Sequence, residues 1–142
     1  MQIKAVVFDF DGVLINSLNV HFKVFSSIAK EFEKEPFSSI KKHAENWPGW
    51  KNRFKDWGLE GKDFKKGHRM YIEKYNELED QIKFYPKIKT VLKKLKDQSI
   101  KTGIGSNNQK EVIEKYLKKY GLDGLIDATV AGDEINKLKP DP

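Results

Sequence analysis

Residues 5–14 read AVVFDFDGVL, and the fold can be inferred from this segment and its surroundings. The apolar run at 3–8 is typical of a buried strand in a parallel sheet, and it ends at two acids, Asp9 and Asp11. Side chains two residues apart on an extended chain point the same way, and open α/β sheets bind ligands at the carboxyl ends of their strands. Gly12 lets the backbone turn sharply. The stretch therefore predicts a strand that brings two carboxylates to a ligand site.

The two carboxylates also predict a chemistry. Paired anions repel each other, and a hard divalent cation such as Mg²⁺ relieves the repulsion. With the metal bound, Asp9 can attack phosphorus and carry an acyl phosphate. Asp11 can protonate the leaving oxygen and then deprotonate the attacking water. The alternative interpretation is a solvated junction between a strand and a turn that carries two ordinary acids.

Three segments resemble the motifs of one enzyme family. DFDGVL at 9–14 resembles the first motif of the haloacid dehalogenase superfamily of phosphohydrolases. IKTGIGSN at 100–107 resembles the second motif, a strand that ends in Ser or Thr, and Lys139 with the proline after it resembles the third. The segments occur in the family's order, and the resemblance covers residues 1–17 and 85–142.

The resemblance implies a role for each matching residue. Asp9 is expected to be the nucleophile and Asp11 the acid/base, and both are expected to bind Mg²⁺. Ser106 is expected to hold a phosphate oxygen, with Asn107 as a second candidate for the same task. Lys139 is expected to neutralise charge on the phosphoryl group and on the nucleophile.

Three further residues have alternative interpretations. Gly12 is a candidate for the phosphate site because its backbone can approach a ligand closely. Lys137 competes with Lys139 as a nearby lysine, but only Lys139 precedes a proline. Asp133 follows a glycine, as the family's fourth motif does, but it lies before Lys139. We therefore interpret Asp133 as a crevice-rim or structural acid and not as a metal ligand.

The order of predicted elements indicates the fold class. A strand, a helical insert, a helix, a strand, a helix and a strand follow one another, which predicts an α/β protein with a parallel sheet and right-handed crossovers. We expect a Rossmann-like three-layer core from residues 1–15 and 82–142, with the second strand between the first and the third. Residues 16–81 are predicted to be helical and lie where family members carry an insert after the first motif. In the family this insert is a cap domain that selects the substrate.

Turn and cap residues predict where the later elements begin and end. The second strand is expected at 99–105, and Asn107 or Asn108 is expected to cap the helix that follows. Gly121 is expected to end that helix. The third strand is expected at 125–131.

Composition narrows the class of protein. The 142 residues include no Cys, so disulfide and thiolate chemistry are excluded, and a mean hydropathy of −0.68 argues against a membrane span. We expect a cytoplasmic protein. The net charge of +6 suits a phosphorylated substrate and would also suit nucleic acid. Trp47, Trp50 and Trp57 lie among basic residues, but their helical spacing favours a cap core over a nucleic-acid surface.

The family's fourth motif, an acidic pair after a further strand, is not found after the third motif. Those acids normally complete the Mg²⁺ site, and the strand before them would cover the outer edge of the first strand. We therefore expect a fragment of a longer protein, a homodimer that covers the edge, or a truncated family member.

The sequence favours a Mg²⁺-dependent phosphohydrolase that acts on a small phosphomonoester through an aspartyl phosphate. The phosphomutase branch of the family uses the same residues and stays open. One alternative is an inactive remnant that binds phosphate or a partner chain. Another is a basic nucleic-acid-binding module.

Overall fold

The computed structural model describes residues 2–45 and 49–139, without the side chains of residues 44 and 45. Trp47 and the segment 140–142, which includes the proline of the third motif, lie outside the described residues. The elements are β1 Ala5–Phe8, α1 Leu18–Glu31, α2 Ile40–Glu45, α3 Trp50–Asp56, α4 Gly61–Leu78, α5 Ile88–Asp97, β2 Lys101–Gly105, α6 Lys110–Lys119 and β3 Ala128–Val130. Short 3₁₀ helices lie at Glu79–Gln81 and Asp123–Leu125.

The three strands form one parallel sheet in the order β1-β2-β3. Val6 lies opposite Thr102, and Ile104 lies opposite Thr129. The α/β class, the parallel sheet and the predicted central position of the second strand are thereby confirmed. Parallel alignment brings the carboxyl ends of all three strands to the same edge of the sheet.

The two faces of the sheet differ in exposure among the described residues. Thr102 and Ile104 are 3% and 2% exposed, whereas Val7 and Val130 on the strands either side are 72% and 51% exposed. Right-handed crossovers that progress in one direction place their helices on the same face of a sheet. The described residues therefore supply the sheet and one of the two helical layers expected in a three-layer core.

The second and third strands, β2 and β3, are shorter than predicted. β2 begins at Lys101 because Ser99 has a positive φ of 57° and belongs to the turn that ends α5. In that turn the Ile100 amide donates to the Leu95 carbonyl at 2.9 Å. β3 begins at Ala128 because a 3₁₀ turn occupies Asp123–Leu125.

Gly121 ends α6 as predicted. Its φ of +62° is a left-handed conformation that favours glycine. The Gly121 amide donates to the Lys118 carbonyl at 3.1 Å, and the Leu122 amide donates to the Leu117 carbonyl at 2.9 Å. These bonds satisfy carbonyls at the end of α6 and turn the chain towards β3.

The chain divides into two compact units. Met1–Asn16 and Phe84–Pro142 form one, here called the sheet unit, and Ser17–Lys83 form the other, here called the helical unit. In the part of the helical unit that the structure describes, every regular element is a helix. Its helix α1 packs against α4 and α2.

Aromatic rings form much of the interior of the helical unit. Phe25 and Phe54 are 2% and 0% exposed, and their ring centroids are 5.9 Å apart. Trp50 stacks on His68 with a centroid distance of 4.4 Å and an interplanar angle of 5°. These contacts agree with the interpretation of the tryptophan-containing segment as a packed core.

The described helices are rich in charge. The longest, α4, has 18 residues, of which several are Lys, Arg, Asp or Glu. Within the described residues, none of the helices combines the length and the apolar character needed to cross a membrane.

Candidate active site

A tight loop follows β1. The Phe10 carbonyl accepts hydrogen bonds from the amides of Leu14 and Ile15, at 3.0 and 3.1 Å, and the Gly12 amide donates to the Ile15 carbonyl at 2.8 Å. Gly12 has a φ of +75°, so the turn depends on its left-handed conformation. Leu14 and Ile15 are fully buried and anchor the loop to the core.

The loop places Asp9 and Asp11 on either side of a core residue. Phe10 is fully buried, and its ring packs edge-on against Phe84 and Tyr116 with centroid distances of 6.2 Å in both cases. The Asp9 side chain is 45% exposed. Burial of Phe10 therefore fixes the backbone from which the two acids project, and Asp9 stays accessible to solvent.

Lys139 contacts the Asp9 carboxylate. Its Nζ donates to Asp9 Oδ1 and to the Gly105 carbonyl at the end of β2, both at 2.8 Å. Asp9 Oδ1 also accepts a hydrogen bond from the Phe10 amide at 2.8 Å. The ammonium thus joins the carboxyl ends of β1 and β2 and places a positive charge beside the carboxylate.

Ser106 lies directly after β2 and is only 4% exposed. Its amide donates to the Val130 carbonyl at 3.0 Å, and its Oγ accepts from the Asn108 amide at 3.1 Å. A hydroxyl can donate while it accepts, so the Ser106 hydroxyl proton can serve a ligand oxygen. The residues Ser106, Asn107 and Asn108 form a compact turn, here called the 106–108 turn.

The asparagines of the 106–108 turn contact two of the predicted site residues. Asn107 Oδ1 accepts from the Lys139 amide at 2.8 Å, and Asn107 Nδ2 donates to the Lys139 carbonyl at 3.1 Å. Asn108 Nδ2 donates to Asp11 Oδ2 at 3.0 Å. Neither pairing could be predicted from a local sequence pattern, because the partners are 32 and 97 residues apart.

The prediction that Asn107 or Asn108 caps α6 is wrong. The helix begins at Lys110 with Gln109 in the capping position, and the Gln109 side chain makes no capping hydrogen bond. The Lys110 amide donates instead to Asp133 Oδ1 at 3.0 Å. The carboxylate that satisfies this helix terminus therefore comes from the segment after β3, where no local pattern could reveal it.

The segment after β3 packs closely on the 106–108 turn. The Gly132 amide donates to the Asn108 carbonyl at 2.8 Å. Glu134 pairs with Lys110 and accepts from the Ala131 amide at 3.1 Å, and these two contacts, the first above all, lower the pKa of the Glu134 carboxyl. The hydrogen bond to Glu134 raises the pKa of Lys110. The contact between Asp133 and the start of α6 suits the interpretation of Asp133 as a structural acid.

The structure brings most of the predicted site residues to one edge of the sheet. Asp9 and Lys139 are in direct contact, Asp11 is tied to Asn108, and Ser106 shares the turn with Asn108. Gly12 lies in the loop after β1. Lys137 is exposed, and the contacts to Asp9 belong to Lys139.

The residues that could hold a metal ion are Asp9 and Asp11, the two acids that follow β1. Among residues 2–45 and 49–139, no group of three or more His, Asp or Glu side chains is placed to hold a metal ion. Mg²⁺ is commonly bound by one or two carboxylates together with water and substrate phosphate. Asp9 and Asp11 therefore match, in type and number, the side chains that a protein supplies to such a site.

Comparison with known proteins identifies the family. The family model described as haloacid dehalogenase-like hydrolase matches residues 6–142. The chain is 28% identical over 145 residues to the phosphorylated carbohydrates phosphatase of Thermotoga maritima, covering 98% of this chain and 66% of that protein. It is 26% identical over 151 residues to the pyrophosphatase PpaX of Listeria innocua, covering 99% of this chain and 65% of that protein.

Solved structures agree with the sequence comparison. The crystal structure of a predicted phosphoglycolate phosphatase from Haemophilus somnus superposes with a TM-score of 0.78 at 27% identity, covering 99% of this chain and 67% of that one. The chain thus spans about two thirds of the length of the relatives that it matches. With a family model that matches most of its length, this chain belongs to the haloacid dehalogenase-like hydrolase family.

Proposed function

We propose that the chain carries the catalytic centre of a Mg²⁺-dependent phosphohydrolase that acts on small phosphomonoesters through an aspartyl phosphate. One observation carries the proposal: Lys139 Nζ lies 2.8 Å from Oδ1 of an exposed Asp9 at the carboxyl end of β1. Support also comes from relatives that are named phosphatases. Those relatives are longer than this chain, so the activity of the whole protein is part of the proposal.

Asp9 is the proposed nucleophile. Its Oδ1 accepts hydrogen bonds from the Lys139 ammonium and the Phe10 amide, so Oδ2 is the atom assigned to the attack on phosphorus. The Oδ2–phosphorus bond forms as the bond between phosphorus and the ester oxygen breaks. Neutralisation by Lys139 lets an anionic carboxylate approach an anionic phosphate.

Asp11 is the proposed acid and base. It gives its proton to the ester oxygen as the alcohol leaves, and it then takes a proton from the attacking water. The water oxygen bonds to phosphorus, the bond from phosphorus to Asp9 breaks, and inorganic phosphate is released. The 3.0 Å hydrogen bond from Asn108 Nδ2 to Asp11 Oδ2 keeps this carboxylate in place between the two steps.

Ser106 is the principal proposed phosphate contact, because it is nearly buried and lies in the same turn as the asparagines. Gly12 is a further proposed contact through its backbone, and Asn107 stays a second predicted contact for phosphate. Mg²⁺, held by Asp9 and Asp11, would supply a positive charge that offsets repulsion between phosphate and carboxylates. The helical unit is the proposed cap that selects the substrate.

Hydrolysis of p-nitrophenyl phosphate by the purified chain tests the proposal. We expect release of nitrophenol that requires Mg²⁺, stops with a chelator, and falls to background in Asp9→Asn and Asp11→Asn. Asp97→Asn, at the end of α5, is the matched control and should keep the wild-type rate. A rate that survives in Asp9→Asn, or the lack of any rate from a chain shown to be folded, would contradict the proposal.

A second candidate function is phosphate binding without turnover. It is favoured by the observation that no group of three or more His, Asp or Glu side chains among the described residues is placed to hold a metal ion. Calorimetry with inorganic phosphate distinguishes the two functions. Binding that is lost in Ser106→Ala, together with no hydrolysis, would support the second candidate over the first.

A further inference from the structure

The backbone around Lys139 depends on distant contacts for its position. Between β3 and Lys139 the described chain contains turns and bends but no helix or strand. A long lysine side chain at the end of such a segment has many accessible conformations, and ordering it costs side-chain entropy. A group outside the segment must therefore hold the lysine if its Nζ is to stay beside Asp9.

Asn107 makes contacts suited to that task. Its side-chain amide pairs with both polar groups of the Lys139 backbone, at 2.8 Å for the Lys139 amide and 3.1 Å for the Lys139 carbonyl. Two opposed hydrogen bonds from one planar group fix both the position and the orientation of the backbone that they grip. One bond alone would leave that backbone free to rotate.

Gly132 holds Asn107 in turn. A Cβ atom at position 132 would lie 2.3 Å from the Asn107 carbonyl oxygen and 2.7 Å from the Asn107 carbonyl carbon. Such distances are far inside van der Waals contact, so residue 132 packs directly on the Asn107 backbone only because it has no side chain. The segment after β3 thus fixes the position of the 106–108 turn, and this turn fixes the position of the Lys139 backbone.

We propose that Asn107 is a positioning residue that acts through Lys139: it holds the lysine backbone so that Nζ bridges Asp9 and the end of β2. The catalytic part of this inference rests on the proposed function. It assigns Asn107 a different role from direct phosphate contact. Because Oδ1 and one Nδ2 hydrogen are already used by Lys139, loss of Asn107 should weaken the contribution of Lys139 and little else.

A double-mutant cycle tests the inference. Asn107→Ala, Lys139→Ala and the double variant are compared in kcat/KM for p-nitrophenyl phosphate. We expect about a tenfold loss for Asn107→Ala, a larger loss for Lys139→Ala, and a double variant within about twofold of Lys139→Ala alone. Asn136→Ala, an exposed asparagine of the same segment, is the control and should leave the rate unchanged. Losses that multiply in the double variant would show that Asn107 acts independently of Lys139, and would overturn the inference.

A second readout does not depend on catalysis. The rate at which an acylating reagent modifies Lys139 is measured by peptide mass spectrometry in the wild type, in Asn107→Ala and in Gly132→Ala. We expect the reagent to modify Lys139 several-fold faster in both variants than in the wild type, because the Lys139 ammonium is released from Asp9 and Gly105. Lys137 should react at the same rate in all three proteins. Equal rates in all three proteins would overturn the inference. If the wild type hydrolyses nothing, the proposed function fails, and this readout still decides whether Asn107 holds Lys139.

Discussion

The carboxyl edge of the sheet unit and the interior of the helical unit are held together by different kinds of contact. At the carboxyl edge of the sheet, polar side chains bond directly to one another across long sequence separations, as Lys139 does with Asp9 and Asn108 with Asp11. The interior of the helical unit is a set of aromatic rings around Phe25 and Phe54. Directed bonds hold chosen atoms in place, whereas ring packing tolerates many sequences. The sheet edge can therefore hold particular polar atoms in place, whereas the aromatic interior stabilises the helical unit.

The largest expected effect is on the stability of the helical unit. Phe54→Ala removes a fully buried ring and should lower the free energy of unfolding by about 3–5 kcal/mol. Urea unfolding measures this change, with Ile72→Ala as the control because Ile72 is 46% exposed. Hydrogen exchange should show the lost protection within Ser17–Lys83. If protection were lost only in the sheet unit, the proposed role of Phe54 in stabilising the helical unit would be wrong.

The next effect is on chemistry in the sheet unit. Lys139→Met keeps the length of the side chain but removes the charge beside Asp9, and kcat/KM for p-nitrophenyl phosphate should fall about 10²–10³-fold. Lys137→Met is the matched control, two residues away, and should keep the rate. Thermal unfolding should change little in either variant, because both lysines are exposed. A larger loss in Lys137→Met would transfer the proposed role to Lys137.

A smaller effect concerns pH and the helical unit. His43 is fully buried among the rings of Phe22, Phe25 and Phe37, and burial lowers its pKa to about 4, with a further contribution from His21 and Arg53. Below its ordinary pKa of about 6.5, His43 is protonated in the unfolded chain but stays largely neutral in the folded protein. The contribution of His43 to the free energy of unfolding should therefore be constant above pH 6.5 and should fall between pH 6.5 and 4.

The expected slope in that window is at most about 1.4 kcal/mol per pH unit from His43. Acidic groups also titrate there, so the measurement compares the wild type with His43→Phe by thermal unfolding at a series of pH values. The difference between the two proteins should appear only below pH 6.5. Parallel curves from pH 8 to 4 would show that His43 does not contribute.

The smallest effect is at the end of α6. Gly121→Ala should lower the free energy of unfolding by about 1 kcal/mol, because alanine is strained at the φ of +62° while the nearest atom, Lys89 Nζ, leaves room for its methyl group. Urea unfolding measures the loss. Gly124→Ala is the control, since Gly124 has open space and no positive φ. Equal losses in the two variants would argue against backbone strain as the cause.

The sequence predicted the parts of the site that depend on local geometry. Asp9, Asp11 and Gly12 follow a recognisable strand, and the order of the strands follows from the alternation of elements. Parallel strands then bring Ser106 to the same edge. The placement of the two acids and of the strands needs only the period of a strand and the alternation of elements, whereas the choice of Ser106 also depended on the resemblance to the family's second motif.

The contacts made by the segment after β3 could not be predicted. Asp133 caps a helix that begins 23 residues earlier, and Asn107 pairs with a backbone 32 residues away. Such contacts depend on the path of an irregular segment, which carries no periodic pattern. Asparagine before a helix has a strong local preference for capping, and that preference led to the wrong assignment of Asn107 and Asn108.

Trapping of a phosphoenzyme would show directly whether Asp9 is the nucleophile. The chain is mixed with p-nitrophenyl phosphate and Mg²⁺, quenched in acid after a short interval, and digested for mass spectrometry of the β1 peptide. The proposed mechanism predicts a phosphoryl group on Asp9 that hydroxylamine removes and that is missing from Asp9→Asn. Hydrolysis without this adduct, or an adduct that persists in Asp9→Asn, would contradict the assignment of Asp9 as the nucleophile.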